Sequence, residues 1–329
     1  MHPDDVARRH VSTGRLPPAA SIAARLGEIH ARYLAHGEGA VSNVYPALAR
    51  VAPSLFGIAL AGTDGSVHAV GEADHGFAIM SVSKPFVLAL VIEALGWEVV
   101  RERIGANATG KAFNSVAAIE DSPDGRTNPM VNAGAIATTS LVPGADAGAR
   151  WRFIHDGLSR FAGRTLALDD EVYGSATATN VRNRSIAQFL RSRGRIYGDA
   201  DEAVDLYTRQ CALGVSARYL AVMGATLADG GVNPLTGARV VDPMTCHYAL
   251  AVMATAGMYE SSGEWLCDIG LPGKSGIGGG IVTVAPGKGG LGTFSPPLDA
   301  AGNSVRGILA AQALSQLLGM DLFLSAPAS

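Results

Sequence analysis

Ser81 and Lys84 stand three positions apart in FAIMSVSKPFVLAL, residues 77–90. A serine hydroxyl is a poor nucleophile until a base removes its proton, and positions i and i+3 share one face of a helix. Lysine serves as that base when burial or a neighbouring positive charge lowers its pKa. Arginine stays protonated and cannot. The distinction matters here, because the chain uses twenty-two arginines and only four lysines, Lys84, Lys111, Lys274 and Lys288. If Ser81 opens a helix, the partial positive charge of the helix N-terminus also favours an anion beside it.

A second lysine falls in LPGKSGIGGGI, residues 271–281, as Lys274-Ser275-Gly276. Lys-[Ser/Thr]-Gly on a strand accompanies Ser-x-x-Lys in serine acyl-transfer enzymes. The cation supports the field of the site, and the glycines let a backbone N–H approach the reacting carbonyl. Each motif alone is weak. A serine precedes a lysine by three often enough by chance, and a glycine-rich turn with a solvated lysine is the plain alternative for the second segment. A phosphate-binding loop does not fit, because its first glycine position holds Asp268 and the segment runs into a glycine-rich strand and not a helix.

The elements that must position these residues follow from periodicity. Residues 16–50 read as helical, with proline punctuation at Pro46. LFGIALAGTDGSVHAVG reads as two strands joined at Asp64-Gly65, a hairpin signature. Ser81 is expected to begin a helix, with Pro85 in its first turn, where a missing N–H costs nothing. From about 96 to 265 the apolar spacing is mostly helical, with Asp199 or Asp201 placed to cap one helix. From 270 onward, GGGIVTVAPG and GGLGTF read as strands, and GILAAQALSQLLG as a closing helix. Strands early and late with helices between predict one sheet built from both chain ends: a sheet-containing α/β lobe of residues 1–95 and 266–329, a mostly helical lobe of 96–265, and the active site in the cleft between them.

Bulk properties narrow the class. The chain has 329 residues, 48% of them hydrophobic, and a net charge of −3. No basic field is present to grip nucleic acid. The longest apolar run, PFVLALVIEALG, is too short for a membrane span and carries Glu93. Three scattered cysteines without a CxxC pair argue against a disulfide framework or a zinc site. The polar N-terminus has no apolar leader, so a cytoplasmic protein without cofactor or metal is the expectation.

SVSKPF, AFNSVAAIE, NPMVNAGAIATT, VRNRSIAQFL, LYTRQC, GMYESSG, LPGKSGIGGGI and SPPLDAAGNSVRG occur in the order and with the spacing of the serine-dependent glutaminases, from about residue 12 to about 320. The chain resembles that family, whose fold is β-lactamase/transpeptidase-like, with an antiparallel sheet flanked by helices and an inserted helical lobe. The resemblance implies hydrolysis of L-glutamine to L-glutamate and ammonia through an acyl-serine. It implies Ser81 as nucleophile and Lys84 as its activating base, and Tyr207 and Tyr259 as active-site tyrosines, Tyr259 in proton transfer. It implies Asn132 and Asn183 as substrate-binding asparagines and the N–H groups of Ser81 and Ile277 as the oxyanion hole, with Lys274, Ser275 and Gly276 in support. Family members are dimers or tetramers, so a homo-oligomer is implied as well.

Three positions depart from the family pattern, all on the substrate side. Met80 stands for a glutamine, Ala176 for the glutamate that helps hold the α-ammonium, and Val44 for a tyrosine, with Tyr45 one place later. An ammonium buried without a counter-charge costs several kcal/mol. The expectation is therefore an intact acyl-serine apparatus acting on glutamine or on a related carboxamide without a free α-ammonium, unless Asp170 or Glu171 replaces the missing acid. Hydrolysis of a β-lactam or D-amino-acid peptide, and a non-catalytic binding role on the same scaffold, stand as alternatives.

Overall fold

The computed structural model describes residues 14–325. The reading of the N-terminal segment as leaderless falls largely on residues 1–13, outside that range. Five strands form one antiparallel sheet: β1 (Gly57–Gly62), β2 (Val67–Gly71), β5 (Gly273–Ser275), β6 (Gly280–Ala285) and β7 (Gly289–Phe294), in the order β2-β1-β7-β6-β5. The sheet is thus shared between the two ends of the chain, as the strand pattern predicts. The β1–β2 turn follows the expected chemistry. Gly65 has φ +82° and the Asp64 carboxylate accepts the Ser66 N–H at 3.0 Å.

Among the described residues thirteen α-helices follow, beginning with α1 (Ala19–Tyr33), α2 (Lys84–Leu95), α3 (Trp97–Ile104), α4 (Ala117–Glu120) and α5 (Asn132–Ser140). They continue with α6 (Ala147–Ala162), α7 (Asp170–Thr179), α8 (Val181–Ser192), α9 (Ala200–Cys211) and α10 (Ala217–Ala228). The last three are α11 (Pro243–Ala256), α12 (Ser262–Ile269) and α13 (Val305–Leu317). None is long and apolar enough to cross a membrane. On one face of the sheet, Ile22, Leu26 and Ile29 of α1 pack with Ala310 and Leu314 of α13 over Ile58, Leu60, Ile281 and Leu291. The alternate residues Ala59, Ala61, Val282 and Val284 face the other core, together with Leu220 and Ala221 of α10. Although it lies within 96–265, α10 therefore covers the sheet. Glycines make that approach possible: a Cβ on Gly290 would sit 2.3 Å from the Ala221 carbonyl oxygen, and one on Gly292 2.1 Å from that of Ala217.

Helix formation stops earlier than the apolar spacing of 16–50 suggests. The α1 helix ends at Tyr33, and the chain to 56 is irregular apart from a 3₁₀ turn at Leu48–Arg50. Gly39 at φ +94° and the prolines at 46 and 53 oppose a longer helix. Buried Arg306 holds this segment by donating to the carbonyls of Leu34 (3.1 Å), Leu55 (3.1 Å), Ser54 (3.3 Å) and Pro53, and to Ser295 Oγ at 2.8 Å.

A second, two-stranded sheet joins β3 (Phe77–Ala78) to β4 (Gly214–Val215). The Ile79 N–H extends it by donating to the Leu213 carbonyl at 2.8 Å. The segment entering Ser81 is thus pinned to the end of α9.

Candidate active site

Ser81 lies in a 3₁₀ turn, Met80–Ser83, and α2 starts only at Lys84. The expectation of an α-helix beginning at Ser81 shifts by three residues, but its geometric content survives, because i and i+3 eclipse in a 3₁₀ turn. Met80 has φ 49° and Tyr259 has φ 58°, the two left-handed non-glycine residues of the described chain. Backbone strain of this kind costs about 1–3 kcal/mol each and persists where the surroundings over-determine it. At Met80 that determination is visible. Ser83 Oγ donates to the Met80 carbonyl at 2.8 Å, and Gln210 Nε2 donates to Ser83 Oγ at 3.2 Å.

Lys84 is 2% exposed. Its Nζ donates to Asn132 Oδ1 at 2.8 Å and to the Met130 carbonyl at 3.1 Å. Asn132, opening α5, also accepts from Tyr207 Oη at 3.1 Å and donates through Nδ2 to Asn183 Oδ1 at 3.0 Å. Four residues read separately from the sequence, Lys84, Asn132, Asn183 and Tyr207, are therefore one buried network on α2, α5, α8 and α9. Burial pulls the Lys84 ammonium down to about 7 and holds the Tyr207 phenol well above its ordinary 10.

Tyr259 meets the serine from the side of β5. Its phenol donates to the Ser275 carbonyl at 3.2 Å and is in hydrogen-bonding contact with the Ser81 side chain. Burial pushes it up to about 12, against the opposing pull of those two bonds. Lys274, fully buried on β5, donates to the Ser275 carbonyl at 2.7 Å, and its Nζ lies 4.0 Å from the centroid of the Tyr259 ring. Burial first, and then the neighbouring charge of Lys84, hold Lys274 well below its ordinary value. The cation expected from Lys-Ser-Gly is accordingly a fully buried lysine whose charged form is disfavoured by burial.

Gly276 and Gly278 let the β5–β6 turn lie against the serine. A Cβ on Gly276 would approach Ser81 N to 3.2 Å, and one on Gly278 would come within 2.6 Å of the Ala78 carbonyl oxygen. Ile277 comes to line the same cavity as Ser81. This cavity, about 110 Å³ and open to solvent, has Met80, Val172 and Ala176 among its apolar lining residues, with Val44, 53% exposed, and Tyr45. Val44, Met80 and Ala176, the three positions expected to depart from the family pattern, therefore line one pocket. The alternative acids do not enter it. Asp170 and Glu171 are exposed at the start of α7, and Glu171 pairs with Arg50 outside.

The sequence reading missed several neighbours. Cys211 lies one helical turn after Tyr207, lines the cavity, and carries a thiol that burial pushes up to about 11. Arg182, beside Asn183, lines the cavity with its Nε donating to the Asn114 carbonyl at 3.0 Å. Asn303, in the GNSVRG run, accepts from Ser275 Oγ and donates to Ser261 Oγ at 3.0 Å, tying the Lys-Ser-Gly strand to the turn of Tyr259.

Comparison with known proteins agrees with this geometry. The glutaminase family model matches residues 39–323. A protein named Glutaminase 2 from Yersinia pestis is 64% identical over 97% of this chain and 94% of its own length. A glutaminase from Brucella canis is 49% identical over 92% of this chain and 96% of its own. The solved structure of a probable glutaminase, ybaS, superposes with a TM-score of 0.92 at 43% identity, covering 94% of this chain and all of that one. The native form of Mglu gives 0.88 at 39% identity, covering 93% of this chain and 74% of that one. With a shared β-lactamase-like fold, a family match across most of its length and relatives this similar, the chain is an enzyme that belongs to the glutaminase family.

Proposed function

We propose that the enzyme cleaves a side-chain carboxamide through an ester on Ser81, with L-glutamine hydrolysed to L-glutamate and ammonia as the family reaction. The observation that carries this reading is a fully buried lysine, held at about 7, one 3₁₀ turn from a serine that lines an open cavity. Neutral Lys84 takes the Ser81 Oγ proton, directly or through the Tyr259 phenol. Oγ attacks the carboxamide carbon, and the Ser81 and Ile277 N–H groups donate to the oxyanion. The C–N bond breaks as Tyr259, still protonated near neutral pH, gives the nitrogen a proton and is resupplied from Lys84. Water then adds to the ester carbon, losing a proton to Lys84. The adduct collapses as that proton returns to Ser81 Oγ, releasing the carboxylic acid, which ionises to the carboxylate by losing its proton to solvent. Asn132 and Tyr207 hold the lysine in place, which supports the assignment of Asn132, Asn183 and Tyr207 to the site.

Ammonia release from glutamine, together with covalent labelling of Ser81 by a fluorophosphonate, tests the reading. Ser81→Ala is expected to lower turnover at least about 10³-fold while leaving the melting temperature in place. Undiminished turnover in that variant, or a wild-type serine inert to the label, refutes the acyl-serine route. Family membership also supports a cytoplasmic homo-oligomer, a dimer or tetramer, which sedimentation of the purified chain reads directly.

A further inference from the structure

With the carboxamide at Ser81, the remainder of the substrate extends into the cavity beyond it, and the charge of that cavity is one-sided. Among the described residues no aspartate or glutamate lines it, and the formally charged lining side chain is Arg182. Two acids of the elements around it are engaged elsewhere. Asp169 accepts the Val172 N–H at 2.9 Å as the cap of α7, and Asp205 takes the Tyr173 hydroxyl and the Arg209 guanidinium. Behind the serine lies Lys84, a further positive group whenever protonated. Apolar side chains also line it, with Met80 3%, Ala176 4% and Val172 7% exposed. A substrate α-ammonium entering this space meets an arginine and an apolar surface and no counter-ion, which is the costly case of charge burial. A substrate carboxylate meets the guanidinium.

Free glutamine carries both charges. Acylating its α-nitrogen removes the ammonium and leaves a monoanion, matched in sign to the pocket. The acyl group would rest toward the mouth, where Val44 offers an apolar side chain 53% exposed. We propose that the site selects γ-carboxamides that bear a free α-carboxylate and an uncharged, acylated α-nitrogen, N-acylated glutamine in preference to glutamine itself. This rests on the acyl-serine reading above and specifies its substrate class.

The experiment compares kcat/KM for ammonia release from N-acetyl-L-glutamine and L-glutamine at low ionic strength, with calorimetric binding of N-acetyl-L-glutamate and L-glutamate to the wild-type enzyme. The acetylated substrate is expected to be favoured at least about tenfold, and the acetylated product to bind more tightly, since tenfold corresponds to only about 1.4 kcal/mol. Ala176→Glu, which puts a carboxylate on the apolar wall, is expected to move the ratio toward free glutamine. The wild-type binding measurement decides the matter if that variant does not fold. Equal or better use of glutamine overturns the selectivity and leaves the acyl-serine reading intact. No ammonia from either substrate, with Ser81 still labelled by fluorophosphonate, overturns the substrate class alone. No ammonia with an unlabelled Ser81 overturns both.

Discussion

Replacing Lys84 by methionine separates the chemistry of this residue from its effect on stability. The side chain is 2% exposed, and burial lowers its pKa from 10.5 to about 7 in the fold. Between those two values the unfolded chain binds a proton at Lys84 that the folded chain does not, so stability rises with pH, at up to about 1.4 kcal/mol per unit. The penalty for holding the ammonium is complete below about pH 6, where it amounts to about 5 kcal/mol, and it disappears above the unfolded value. Methionine occupies a similar volume without the charge, though it forgoes the bonds to Asn132 and Met130. The stability of Lys84→Met minus that of the wild type is therefore highest and flat at low pH. It falls by about 3 kcal/mol between about pH 7.5 and 9.5. Lys274 titrates in both proteins. Removing the Lys84 charge relieves it only at low pH, where that charge exists. Urea unfolding at several pH values, followed by the fluorescence of Trp97, Trp151 and Trp265, measures the difference. In parallel, wild-type kcat/KM should rise with pH through about 7, while the variant is inactive throughout. A difference that is independent of pH, or that grows with it, means Lys84 does not lose its proton near neutrality and cannot be the base.

Tyr259→Phe removes the phenol that touches Ser81 and donates to the Ser275 carbonyl. Steady-state kinetics should show kcat lower by about 10²–10⁴-fold with KM little changed, and an unchanged kcat excludes Tyr259 from proton transfer. Gly292→Ala drives a methyl to 2.1 Å from the Ala217 carbonyl oxygen. Denaturant unfolding should report a loss of at least about 2 kcal/mol, and neutrality would mean that α10 does not sit on the sheet as described.

Much of this molecule is written in local chemistry. Asp64-Gly65 announces its hairpin, and the glycine-rich alternation of the late strands marks those that complete the sheet. Lysine usage in an arginine-biased chain points inward, since Lys84, Lys274 and Lys288 are all buried. What escaped the sequence depends on tertiary approach. Cys211 belongs to no cysteine pattern and matters only because α9 turns it, four residues after Tyr207, toward the same cavity. Arg182 and Asn303 look like ordinary surface and turn residues until the fold brings Asn114 and Ser275 to them. The end of α1 was misplaced because apolar spacing continues past Tyr33, while the backbone there is recruited by Arg306 and by the bridge from Ala40 to Leu298.

The two-residue pairing of Phe77–Ala78 with Gly214–Val215 constrains how the enzyme can change over evolutionary time. It fastens the approach to the serine directly to the end of the helix that carries Tyr207 and Cys211. Pulling Phe77–Ala78 away from Gly214–Val215 would break that clasp and displace the nucleophile at once. With that pairing kept, a pocket beside it acquires a new substrate by exchanging side chains along its walls. Positions 44, 80 and 176 line those walls and are where such an exchange would be felt.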